Sequence, residues 1–203
     1  MSKWLERMTE DKRSKNTMQI KKLVTLGDSL TEGYNIDKLK RWTKLLHQKH
    51  NLEIINSGIS GDTTTGMLSR FSEDVLAHKP SHLFIMGGTN DLWLNLSISQ
   101  VIANIHAMTR QAKFHGIASI VGIPTPIITR ENYSLDTYFV DDLNLTKKMV
   151  KYQKELKRYA LEDGKEIVDF SGMDEALLLE DGVHPGEEGQ VWMMEQWGRD
   201  GAR

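Results

Sequence analysis

Short apolar runs that stop at turn residues recur along the chain: Leu23–Leu26 before Gly27, Ile54–Ile55 before Asn56, Leu83–Met86 before Gly87, Ile117–Ile123 before Pro124 and Ile167–Val168 before Asp169. Runs of this length, bounded by Gly, Pro, Asn or Asp, predict five buried strands. Between them apolar residues fall three and four apart: Leu39, Trp42, Leu45 and Leu46; then Val101, Ile102, Ile105, Met108 and Ala112; then Leu145, Met149, Tyr152, Leu156 and Tyr159. Each series predicts a helix with one apolar face. Continuous apolar strands alternating with such helices predict a parallel sheet covered on both faces, because right-handed crossovers place the helices there. The expected architecture is a three-layer α/β fold.

The chain has 203 residues, a length that suits one domain and can bury roughly 70% of the surface of its unfolded form. No repeat, low-complexity tract or Pro/Gly linker divides it, so residues 23–203 are expected to form the domain. Residues 1–22 are read as an extension, either disordered or a short docking helix on Trp4, Leu5 and Met8. The absence of cysteine excludes disulfides, thiolate catalysis and cysteine-ligated metal sites. A net charge of −2 provides no field for nucleic acid or an anionic membrane, although residues 1–22 are locally basic. A small-molecule substrate, no nucleic acid and no stable membrane insertion are expected. The opening residues carry charges throughout, with no apolar run of the secretory type, and nowhere do eighteen apolar residues follow one another. A cytoplasmic chain is the expectation.

Directly after the first run comes Gly27-Asp28-Ser29-Leu30-Thr31-Glu32-Gly33-Tyr34, which sets a serine in the turn at a strand's carboxyl end. A serine hydroxyl becomes a useful nucleophile only when a base takes its proton, and the base works best when a carboxylate orients it. Of the seven histidines, His184 alone has a carboxylate three residues before it, in Asp181-Gly182-Val183-His184-Pro185. One tight turn at Gly182 lets Asp181 reach the imidazole nitrogen that faces away from the serine, and Pro185 suits the first turn of a closing helix. Ester chemistry also needs donors for a developing oxyanion. Gly61, in the turn after the second run, and Asn90, after the third, are the candidates. Ser60 is a rival nucleophile, since it too follows a strand in a glycine-rich turn.

These residues resemble the four sequence blocks of the GDSL esterases and lipases, also called SGNH hydrolases: GDSLTEGY, SGISGDTT, GGTND and DGVHP, in order, across residues 23 to 190. The resemblance implies a flavodoxin-like sheet of five parallel strands. It implies a serine esterase working through an acyl-enzyme, with Ser29 as nucleophile, His184 as base, Asp181 as its orienter, and an oxyanion hole from Ser29, Gly61 and Asn90. Thr31 stands where a G-x-S-x-G elbow would have its second glycine, which sets the chain apart from the α/β hydrolases.

No cofactor or metal is called for; His47 and His50 are three apart on a predicted helix, but no third ligand joins them. Asp28, Asp62 and Asp91 are read as carboxylates that tie down loop N–H groups. Candidate substrate-contacting positions are Asp28, Asp62, Trp93, Pro126 and Val183. Short-chain acyl esters, lysophospholipid-type lipids and acetylated sugars all fit this pattern. A ligand-binding protein without turnover, or an acyltransferase, is the alternative on the same fold.

Overall fold

The computed structural model describes residues 20–128 and 142–197. Each expected apolar run is a strand: β1 (Lys22–Gly27), β2 (Glu53–Gly58), β3 (His82–Met86), β4 (Ala118–Ile123) and β5 (Glu166–Asp169). All pair in parallel, in the order β2-β1-β3-β4-β5. The chain steps outward from β1 to β2 and then returns to the other side of β1 for β3. That reversal opens a crevice beyond the carboxyl ends of β1 and β3, where ligands bind in open α/β sheets.

Among the described residues the connecting helices are α1 (Ser29–Glu32), α2 (Trp42–His50), α3 (Thr64–Ser69), α4 (Phe71–Asp74), α5 (Thr89–Trp93), α6 (Ile98–Phe114), α7 (Asp142–Glu162) and α8 (Glu187–Gln196). Side chains alternate across the pleat, so both faces of the central strands are apolar. Val24, Leu26, Leu83 and Ile85 pack against α6 and α7, through residues such as Ile105 and Tyr152. On the other face Leu23, Phe84, Ile120 and Val168 meet Trp42 and Leu46 of α2 and Met193 of α8. None of the helices in the described residues is long and apolar enough to cross a membrane.

Three local expectations are corrected. Leu39 lies outside α2 and is 66% exposed, because Asp37 closes a turn by accepting the Leu39 and Lys40 N–H groups, and Arg41 is still extended. Tyr159 is 37% exposed and Ala160 takes the buried place, one step further round the helix. Pro185 is not in the first turn of α8: Gly186 is the N-cap, and Pro185 instead pairs with Leu178 in an antiparallel bridge.

Trp42 joins this core to the crevice. It is fully buried, stacks on Trp197 at 5.8 Å and meets Phe84 edge-on at 5.4 Å. Its indole N–H donates to the Leu30 carbonyl at 3.1 Å, and its backbone N–H donates to Gln190 Oε1 at 2.9 Å. One residue therefore ties the helix that begins with Ser29 to both covering helices. Trp42→Ala is expected to lower the unfolding free energy by roughly 3–5 kcal/mol. Urea denaturation checks this, and a loss below about 1 kcal/mol would contradict the placement.

Candidate active site at the carboxyl edge of the sheet

The sharp turn from β1 into α1 comes from three residues. Asp28 adopts an extended conformation and caps α1, its Oδ1 accepting the Leu30 N–H at 3.0 Å. Ser29 is the first helical residue, 7% exposed, and Gly33 closes the single turn at φ +83°. That left-handed conformation favours glycine.

His184 reaches Ser29 from 155 residues away: its Nε2 lies 2.9 Å from Ser29 Oγ. Its Nδ1 is 2.7 Å from Asp181 Oδ2. A carboxylate can only accept, so Nδ1 carries the proton and the lone pair of Nε2 faces the serine hydroxyl. Gly182 takes φ +68°, which folds Asp181 back so that its Oδ1 accepts the Val183 and His184 N–H groups, each at 2.9 Å. Burial by itself would raise the Asp181 carboxyl, but the bonds from the His184 ring and the two N–H groups outweigh it and hold the group below its ordinary value. The tyrosine of the first block, Tyr34, lays its ring on His184 with centroids 4.5 Å apart.

The oxyanion candidates converge on the same edge. Gly61 sits at φ +81° with no heavy atom within 4 Å of the position a Cβ would occupy, so the conformation demands glycine while the space before it stays open. Among the described residues neither the Ser29 nor the Gly61 N–H donates to a protein acceptor. Asn90 Nδ2 spends one hydrogen on the Asp62 carbonyl at 2.8 Å, which leaves the other to aim outward.

A model of the GDSL-like lipase/acylhydrolase family matches residues 25–192. The chain belongs to that family of ester hydrolases. It is 28% identical over 180 residues to an arylesterase from Vibrio mimicus, covering 86% of this chain and 84% of that one. It is 37% identical over 119 residues to an uncharacterized lipoprotein from Bacillus subtilis, covering 52% of this chain and 49% of the lipoprotein. The chain thus spans about half the length of that relative. Among solved structures, a lipolytic protein of the G-D-S-L family from Desulfitobacterium hafniense superposes with a TM-score of 0.75 at 26% identity, covering 88% of this chain and 98% of that one.

The GDSL blocks are fastened by charged side chains, of which Arg70 and Glu32 were not legible as site residues in the sequence. Arg70, on a side chain only 14% exposed, bonds to Asp62 Oδ2, Asp74 Oδ2 and the carbonyls of Ser57 and Gly27, at 2.5–3.0 Å. It bolts the ends of β1 and β2 to the turn that follows Gly61. The only hint in the sequence is an Arg four residues before Asp74 on a helix. Glu32 Oε2 accepts from the N–H of Ser60 at 2.9 Å and its hydroxyl at 2.5 Å, holding the loop of Gly61 against the helix of Ser29. Asp62 Oδ1 accepts the Thr63 N–H, and Asp91 accepts both the N–H and the hydroxyl of Thr64. The three aspartates that neighbour the blocks therefore do tie down loop N–H groups.

Of the candidate contact residues, Trp93 lines a hollow of about 330 Å³ together with Gly61, Asn90 and Leu94. Pro126 is half-buried. Asp28 and Val183 are corrections: at 0% and 3% exposed they present no side-chain surface to a ligand, because one caps α1 from beneath and the other belongs to the core. The aperiodic stretch from Pro124 to about Asp142 follows the fourth strand and is a further candidate border of the crevice; its residues 129–141 lie outside the described residues.

Asp28 is fully buried, and burial pushes its carboxyl up to about 7 despite the Leu30 N–H and the nearby His184. Below pH 4 both folded and unfolded forms hold the proton. As pH rises the unfolded carboxyl ionises first, so stability falls between about pH 4 and pH 7 and levels above. The loss from this group is on the order of 4 kcal/mol. Asp91, also raised by burial, works in the same sense. Asp28→Asn cannot ionise and is expected to flatten much of this decline in unfolding free energy. Parallel pH curves for the two proteins would show that Asp28 is not the source.

Proposed function

We propose that this chain is a serine esterase that acts on small carboxylic esters through an acyl-enzyme on Ser29. The observation that carries this reading is the unbroken line from Ser29 Oγ to His184 Nε2 and from His184 Nδ1 to Asp181, at 2.9 and 2.7 Å. His184 takes the Ser29 proton as Oγ adds to the ester carbonyl, and the oxygen that gains negative charge meets the N–H groups of Ser29 and Gly61 and the free hydrogen of Asn90. His184 then gives its proton to the departing alcohol. Water, activated by the same nitrogen, releases the acid and restores Ser29. Asp181 keeps the imidazole in the required tautomer and offsets the charge it acquires.

The hollow bounded by Gly61, Asn90, Trp93 and Leu94 adjoins two of the three donors and has two apolar walls. It favours a compact acyl group over a long chain. Relatives named as an arylesterase and, over 42 residues at 45% identity, an acetylxylan esterase are in keeping with short or compact esters. A free small-molecule substrate and a cytoplasmic setting complete the proposal.

Ser60 is the internal control. Its hydroxyl is held by Glu32 rather than by a histidine. On a chromogenic acetate ester, Ser29→Ala is expected to lower kcat by roughly a thousandfold or more, while Ser60→Ala retains most activity. Full activity in the Ser29 variant would sink the assignment. Asn90→Ala is expected to cost the barrier one oxyanion donor, roughly 2.7–4 kcal/mol in kcat. An unchanged rate constant in a variant with an unaltered melting temperature would remove Asn90 from the hole.

A further inference from the structure

A second hollow, about 280 Å³, lies on the flank of the sheet where α2 covers the edge strand β2. Lys38, Arg41, Lys44 and His47 line it, with Thr43 and Asn56, and no carboxylate is among its lining residues. A chain with a net charge of −2 has no general excess of cations to scatter there.

One of the cations differs from an ordinary solvated one. Arg41 has a side chain only 20% exposed, and its Nε donates to the Ile36 carbonyl at 3.2 Å. Its stem packs where a Cβ on Gly33 would fall 2.6 Å from its Cγ, so the glycine that ends α1 makes room for it. The guanidinium is thus held in place, yet its nearest carboxylate, Glu32 Oε1, is 3.9 Å away. Glu32 is meanwhile engaged through its other oxygen by Ser60. Among the described residues, Lys38 and Lys44 have no ion-pair partner, whereas nearby Lys40 is paired with Glu187 at 2.7 Å and Lys22 with Glu53 at 2.9 Å. The backbone carrying Lys38 is set by the Asp37 turn.

A neutral hydroxyl is also poised as a donor. Thr43, 5% exposed, accepts the Asn56 amide on its Oγ1 at 2.9 Å, which leaves its hydroxyl proton to give. His47 Nδ1 donates to the Leu52 carbonyl at 2.8 Å, which fixes the orientation of the ring at the rim of the hollow. A recess with a preset guanidinium fork, two unpaired ammonium groups and a spare hydroxyl is complementary to a compact dianion. Its volume is at the lower end of small-ligand pockets, enough for a phosphoryl group bearing a short organic chain. Asp37 and Glu53 are the chain neighbours of the lining residues Lys38 and Ile54, and Lys40 and Lys22 are already paired, so the positive potential does not extend as a polyanion track would require.

We propose that this hollow is a binding site for a small, soluble phosphomonoester, outside the Ser29 centre. Arg41 would take two phosphoryl oxygens through its fork while Lys38 and Lys44 neutralise the second charge. The site does not depend on the esterase reading, and its deciding readout is binding rather than turnover.

Glycerol 3-phosphate and inorganic phosphate are titrated into the full chain by calorimetry. Saturable binding of glycerol 3-phosphate is expected in the wild type and in Ser29→Ala alike. The double variant Lys38→Ala/Lys44→Ala is expected to weaken it by about tenfold or more, with an unchanged melting temperature and unchanged ester hydrolysis, and Lys38→Arg/Lys44→Arg is expected to restore it. No saturation up to about 10 mM overturns the proposal, as does equal affinity in the double alanine variant. Binding of inorganic phosphate alone, or of phosphatidate vesicles without the soluble ester, overturns the assignment to a soluble phosphomonoester.

Discussion

Parallel pairing of β1 with both β2 and β3 brings Gly27, Gly58 and Met86 to one edge of the sheet, in register. The three turns that follow start side by side, and each supplies one part of the site: Ser29, Gly61 and Asn90. An antiparallel neighbour would send one of these turns to the opposite edge. The reversal of strand order at β1 leaves the crevice open there, because no crossover helix covers the point where successive connections diverge. The last element needs no strand of its own. Asp181 and His184 lie on a loop whose return is set by the Leu178–Pro185 bridge and the bond from the Leu179 N–H to the His184 carbonyl.

Placement of the turns is secured by buried polar groups rather than by packing alone. Arg70 collects two carbonyls and two carboxylates, which satisfies most of its fork geometry. Such a charge is costly to bury and costly to orphan, so its net effect is better described as specificity of loop position than as added stability. Glu32 and Asp91 play similar parts, linking the helix of Ser29 to the loop of Gly61 and the helix of Asn90 to the first residue of α3. A site assembled from loops thereby acquires the rigidity that preorganised donors require.

Much of this was open to reading from the residues. Strand-forming runs end in Gly, Asn, Asp or Pro, and all five are strands; the central β1, β3 and β4 are largely buried on both faces and so apolar, whereas edge strand β2 has no fully buried residue, against the expectation of five buried strands. Asp181 and His184 were legible because they are only three residues apart. Leu39 and Pro185 depart from the helical pattern for a shared reason: a helix start depends on where the backbone leaves the extended region, which Asp37 and Gly186 decide here. Asp28 and Val183 adjoin site residues in sequence but are buried, one as the cap of α1 and the other in the core.

Fold class, strand ends and the four blocks are written in the residues alone, since continuous apolar runs, the 3.6-residue apolar period and short turn motifs are local properties of the chain. Only the tertiary structure decided that Ser29 and His184 meet across 155 residues, that Arg70 and Glu32 fasten the turns, and that Lys38, Arg41 and Lys44 share one recess. These are distances between segments with no shared periodicity. They follow from the order in which the strands pair, and a chain's local pattern does not encode that order residue by residue.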